Sequence, residues 1–174
     1  MQASKGKWAG RFIWASVVQG IFAVFWTIFI VAPGVVPEPS RVIAGGSGGT
    51  WLFVGYVLYI LIGVVAVAVT ALFYFYIEGI QGKIYSGLRN LLAWAHLVLM
   101  NVGAAGATWL MMTGGYLAGR ALLPTSVGGL GWNPGQVHVN ILQYYPQPLF
   151  IFVVVATAGV LLGGLGYVVS ERTK

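Results

Sequence analysis

The chain contains no cysteine. Disulfides, thiolate zinc sites, iron–sulfur clusters, thioether-attached haem and cysteine nucleophiles are therefore excluded together. It also contains no aspartate. Its three glutamates, Glu38, Glu78 and Glu171, do not cluster along the sequence. A carboxylate dyad or a carboxylate-rich metal site has no basis here. Charged residues make up only 7% of the 174 residues, whereas a soluble domain is about a quarter charged. So little charge cannot cover a normal solvated surface. Also missing is the strict polar–apolar alternation, in segments of about ten residues, that marks transmembrane β-strands.

What is present is apolar. The composition is 59% hydrophobic, with a mean hydropathy of +0.87. Four stretches, about 12–32, 51–77, 90–115 and 148–169, match the roughly 20 apolar residues that a helix needs to cross a bilayer. The first is about twenty residues long, against 7–15 in the apolar region of a signal peptide, so it reads as a transmembrane helix. The fold class expected is all-α: one domain, 1–174, forming an integral membrane four-helix bundle.

The net charge is +6, and its placement orients the bundle. Lys5, Lys7 and Arg11 precede the first helix, Lys83 and Arg89 lie between the second and third, and Arg172 and Lys174 follow the fourth. If the helices alternate, these seven share one side and only Arg41 and Arg120 lie on the other. The positive-inside rule puts both termini in the cytoplasm, with a long second extracytoplasmic loop, 116–147. The expected location is the cell membrane, multi-pass. No basic cluster is interleaved with stacking aromatics, so nucleic acid is discarded as a partner. Trp8, Trp14, Trp51, Trp132 and Tyr167 lie near the expected interfaces, as an aromatic belt would.

The connections carry further signals. Pro37 and Pro39 stiffen the first outer loop, and glycines from Gly45 to Gly49 loosen its end. Ser86, or alternatively Asn90, is placed to cap the third helix. Loops longer than about 12–15 residues usually carry function or lack order. In the second outer loop, "QVHVNILQYY" is compatible with a strand or with a segment lying along the membrane surface. Two readings of this loop stand: a self-packed cap over the bundle, or a docking surface using Trp132, His138, Tyr144 and Tyr145 for a neighbouring subunit.

Helices pack in lipid through small residues and interhelical hydrogen bonds. Gly115 with Gly119 and Gly159 with Gly163 each form a Gly-x-x-x-Gly pair, and Gly103 adds a further flat point. The total of 26 glycines favours close approach to other membrane subunits as well as to lipids.

His96 lies within an uncharged stretch. At about 100° per residue it shares a helix face with Met100 and Gly103, while Trp94, Asn101 and Thr108 occupy another. Two faces with polar groups make this helix central, or sandwich it between its own bundle and a partner. Counting about 1.5 Å per residue from the flanking charges places Gln19, Thr70 and His96 in one layer, expected to form a hydrogen-bonded cluster. The functional alternative is haem ligation by His96. Gly103 would then admit the macrocycle, but the other histidine, His138, is too far away to be the second ligand. Most simply, the chain binds no cofactor of its own, with haem as the alternative. At the membrane boundary, Glu78 is expected to pair with Lys83 or Arg89 rather than relay protons.

"AWAHLVLMNVGAAGATWLM", Ala93–Met111, resembles helices of the haem–copper oxidase superfamily, in which a histidine or aromatic precedes an LMNIG-like turn. The matching residues are His96, Leu99, Met100, Asn101, Val102 and Gly103. The overall form is similar to small four-helix companions of archaeal terminal oxidases. The catalytic subunit of that family has many more helices and ligand histidines, so the resemblance implies a non-catalytic accessory subunit with no catalytic residue carried over. The function expected is a membrane subunit of a respiratory electron-transfer complex, most plausibly a terminal oxidase. The alternatives are a haem b-binding electron carrier using His96, and an accessory subunit of a membrane monooxygenase.

Overall fold

The computed structural model describes residues 6–172. Lys5 and Lys174, used above to orient the chain, lie outside the described residues. Every regular element among the described residues is helical. They are α1 (Lys7–Val31), α2 (Pro39–Ala44), α3 (Gly48–Ile80), α4 (Gly87–Leu122), α5 (Pro134–Asn140) and α6 (Pro146–Arg172). α1, α3, α4 and α6 are each long and apolar enough to cross a membrane, and on that ground the chain is a multi-pass helical membrane protein.

α4 is the axis of the bundle. It packs on α3 along one face and on α6 along another, while α1 packs chiefly on α3. Of the most apolar window of each helix, 44% is buried in α4, against 28% in α3, 17% in α6 and 11% in α1. Glycines set the approach. Gly115 lies on the α3 backbone at Leu52, and Gly119 lies on Gly49. Gly103 lies on the α6 backbone at Ala156, Gly106 under the Phe152 ring, and Gly159 on Met100. A Cβ added at any of these points would overlap its neighbour, so the near-zero side-chain volume is what permits these distances. The glycine richness that favoured docking against other subunits is thus largely used within the chain.

The spans run beyond most of the expected ends, and two features stand out. α4 runs seven residues past 115, because Gly115, Ala118 and Gly119 pack on the start of α3 instead of emerging from the bundle. α3 contains two wide π-helical turns, Tyr59–Val65 and Tyr76–Ile80. The first exposes the Val64 carbonyl sideways, where Ser16 Oγ donates to it at 3.0 Å.

The connection between α4 and α6 is self-packed. "QVHVNILQYY" contributes a helix and a 3-10 turn, not a strand. The reason is local: Asn133 and Gln136 form a capping box, each side chain accepting from the other's backbone N–H at 2.9 Å, with Pro134 at the first helical position. Leu123, Gly131 and Trp132 fold back on the end of α4, with the Trp132 N–H donating to Ala121 O at 2.8 Å. Val137 is buried against Ala118 and Ala121. The connection between α1 and α3 holds α2, whose Val42 closes over Gly119. Ser86 stands at the N-cap of α4 with extended backbone but makes no side-chain cap bond. Trp8 is not an interfacial anchor: it is 1% exposed, whereas Trp14 is 70% exposed.

Candidate functional site

Polar side chains within the bundle form two separate groups. In the first, Gln19 Nε2 donates to Asn101 Oδ1 at 3.0 Å, and the Tyr59 hydroxyl donates to Gln19 Oε1 at 2.5 Å. Asn101 Nδ2 returns to its own helix at Leu97 O, 2.8 Å. This group ties α1, α3 and α4 together with its hydrogen-bonding capacity largely met. In the second, the Tyr74 hydroxyl lies 3.2 Å from His96 Nδ1. Phe12 stacks on Tyr74 at 4.8 Å and tilts against the imidazole at 5.0 Å. Gly163 supplies the remaining wall, with its backbone directly on the imidazole ring.

The expected single cluster of Gln19, Thr70 and His96 does not form. Thr70 Oγ1 donates to Ala66 O at 2.8 Å on its own helix, with Met100 Sδ 4.0 Å away. Gln19 points to Asn101 and Tyr59 instead of the imidazole. Depth counting placed these residues in one slab but carried no azimuth, and azimuth decides which side chains meet. Two partners, Tyr59 and Tyr74, were missed. The available signal was a tyrosine inside an apolar run, since a buried hydroxyl requires a partner.

The end of the bundle at the start of α1 is closed by charges used as caps. Glu78 accepts from the backbone nitrogens of Trp8 at 2.8 Å and Ala9 at 3.3 Å, which satisfies the start of α1. Lys83 Nζ donates to the carbonyls of Ser170 at 2.8 Å and Glu171 at 3.2 Å, at the end of α6. The pairing of Glu78 with Lys83 expected from sequence thus gives way to helix-end capping by both. Arg11 lies between Trp8 and Trp94, 4.3 and 4.4 Å from their ring centroids. Tyr85, in the connection between α3 and α4, has its pKa raised, chiefly by burial.

Of the residues singled out in the α4–α6 connection, Trp132 packs into the cap and Tyr145 covers Gly114, while His138 and Tyr144 are exposed. His138 sits beyond the C-terminal end of α4, and His96 lies 26 residues before that end, about 39 Å of helix. Among the described residues, no three His, Cys, Asp or Glu side chains gather to hold a metal.

Haem was tested against these surroundings. A ligating histidine donates its second ring N–H outward. Here Nδ1 lies 3.2 Å from the Tyr74 hydroxyl, and either group can donate to the other. Met100 follows His96 by one turn of the same helix and so cannot approach a macrocycle from the opposite side. Gly103, expected to admit the ring, is filled by Ala156. The surroundings of His96 thus supply neither a second axial ligand among the described residues nor the gap at Gly103 that a macrocycle was expected to use.

Comparison with protein-family models, curated proteins and solved structures gives no match.

Proposed function

We propose that this chain is a non-catalytic packing subunit of a larger membrane redox complex, namely a respiratory terminal oxidase. Both termini then face the cytoplasm of a cell-membrane complex, and the α4–α6 connection is extracytoplasmic. The observation that carries the subunit reading is the groove between α1 and α4. It encloses about 480 Å³, is walled by Trp14, Val18, Phe22, Val98 and Val102, and has Gln19 and Asn101 at its floor. A groove of this kind, between two helices and walled by apolar side chains, suits a transmembrane helix of a partner. The terminal-oxidase assignment rests on the resemblance of Ala93–Met111 alone. The exposed His138 and Tyr144 are the residues proposed to meet an extracytoplasmic neighbour.

Purification from native membranes in mild detergent, followed by mass spectrometry of co-purifying chains, tests this. A haem-bearing catalytic subunit should accompany the chain, and Val98→Trp, which fills the groove, should release it. A chain that migrates alone from native membranes would remove the proposal. A reduced-minus-oxidised spectrum of the isolated chain should be featureless. A b-type band lost in His96→Ala would establish the electron-carrier alternative in its place.

A further inference from the structure

A second cleft, of about 670 Å³, descends between α3 and α6 to α4. His96 and Met100 lie at its floor, and Phe73, Tyr74, Gly164 and Tyr167 stand along its walls. Phe73 and Val160 on its rim are 56% and 50% exposed, so it opens sideways toward the hydrocarbon. The Phe73 and Tyr167 rings meet edge-on at 6.2 Å and bridge α3 to α6 at one end. At Gly164 an added Cβ would meet nothing within 4 Å, which leaves a smooth open strip beside the floor.

The chemistry of the floor is specific. His96 is only 7% exposed, and its one hydrogen bond joins Nδ1 to the Tyr74 hydroxyl. The tautomer in which the tyrosine donates carries the ring proton on Nε2. Nε2 has no partner among the described residues. The other hydroxyl at this depth, Thr70, already spends its proton on Ala66 O. In that tautomer the cleft offers a donor to an acceptor, in walls that are otherwise apolar.

We infer that this cleft binds a membrane-soluble carbonyl compound. Its oxygen accepts from His96 Nε2–H, and its apolar tail leaves between α3 and α6 into the bilayer. Two sources share this chemistry: a prenylated quinone and the ester group of a glycerolipid. The inference rests on the cleft alone and is independent of any partner subunit.

The test uses the full chain in nanodiscs of ether-linked phospholipid, which has no ester carbonyls. Three probes are compared by equilibrium dialysis: a benzoquinone with a decyl tail, a diacyl phosphatidylcholine and decylbenzene. One carbonyl probe should bind at one per chain, with decylbenzene about fivefold weaker, as expected for one neutral hydrogen bond. Whichever carbonyl probe binds better identifies the source. His96→Phe should weaken that binding by about the same factor. Gly164→Leu, placed where there is room for it, should abolish binding without lowering the thermal midpoint. Equal binding of decylbenzene, unchanged affinity in both variants, or no binding of either carbonyl probe to folded protein would each overturn the inference.

Discussion

The carboxylate of Glu78 accepts a hydrogen bond from the backbone nitrogen of Trp8 at 2.8 Å, across 70 residues of sequence. One side chain at the end of α3 thereby completes the start of α1. Both groups are buried, so water cannot replace the bond. Glu78→Ala should destabilise the protein by about 1–2 kcal/mol, the usual cost of a lost cap with orphaned donors. Glu78→Gln keeps an acceptor and should lose about half as much. Detergent-solubilised thermal unfolding followed by circular dichroism reads both, and an alanine variant as stable as wild type would contradict the capping role.

The α4–α6 seam yields a contrast between neighbouring glycines. Gly159 and Gly163 face α4 at contact distance, whereas Gly164 faces open space. Gly159→Leu and Gly163→Leu should each cost about 1–3 kcal/mol through overpacking. Gly164→Leu should cost nothing measurable, and Gly20→Leu on α1, also in open space, serves as a control. Similar losses at Gly163 and Gly164 would show that α6 is rotated from the orientation described.

A double-mutant cycle on Gln19→Leu and Tyr59→Phe should give a coupling of about 0.6 kcal/mol, typical of a hydrogen bond between membrane helices. The cycle on Gln19→Leu and Thr70→Val should give none, since those side chains make separate bonds. Coupling in the second cycle and not in the first would restore the single polar layer.

The orientation proposed from charge is open to direct labelling, because the chain has no cysteine of its own. Ile84 is 73% exposed in the α3–α4 connection, and Tyr144 is 66% exposed in the outer cap. In intact cells an impermeant maleimide should modify Tyr144→Cys and spare Ile84→Cys until the membrane is opened. The reverse pattern would invert the assigned topology.

Particular residues show where sequence reasoning stopped. The four spans were legible because a stretch of about twenty apolar residues can hide its backbone polar groups in lipid only as a helix. The capping box of Asn133 and Gln136 was also written locally, yet partial alternation in "QVHVNILQYY" drew attention from it. Gly115 and Gly163 were visible as packing residues, but not which helix each would meet. Tyr74 was not visible as the partner of His96 at all, being 22 residues away on another helix.

The sequence by itself determined that this is a helical membrane protein with four long spans and no thiol or clustered-carboxylate chemistry. Composition and run length decide those points, and neither depends on how helices are rotated. Only the tertiary structure decided that Gln19 joins Tyr59 and Asn101, that Glu78 caps α1, and that His96 meets Tyr74 beside a lateral cleft. In lipid every face of a helix is apolar enough to point outward, so the azimuth of each helix is set by glycine contacts and hydrogen bonds between distant segments.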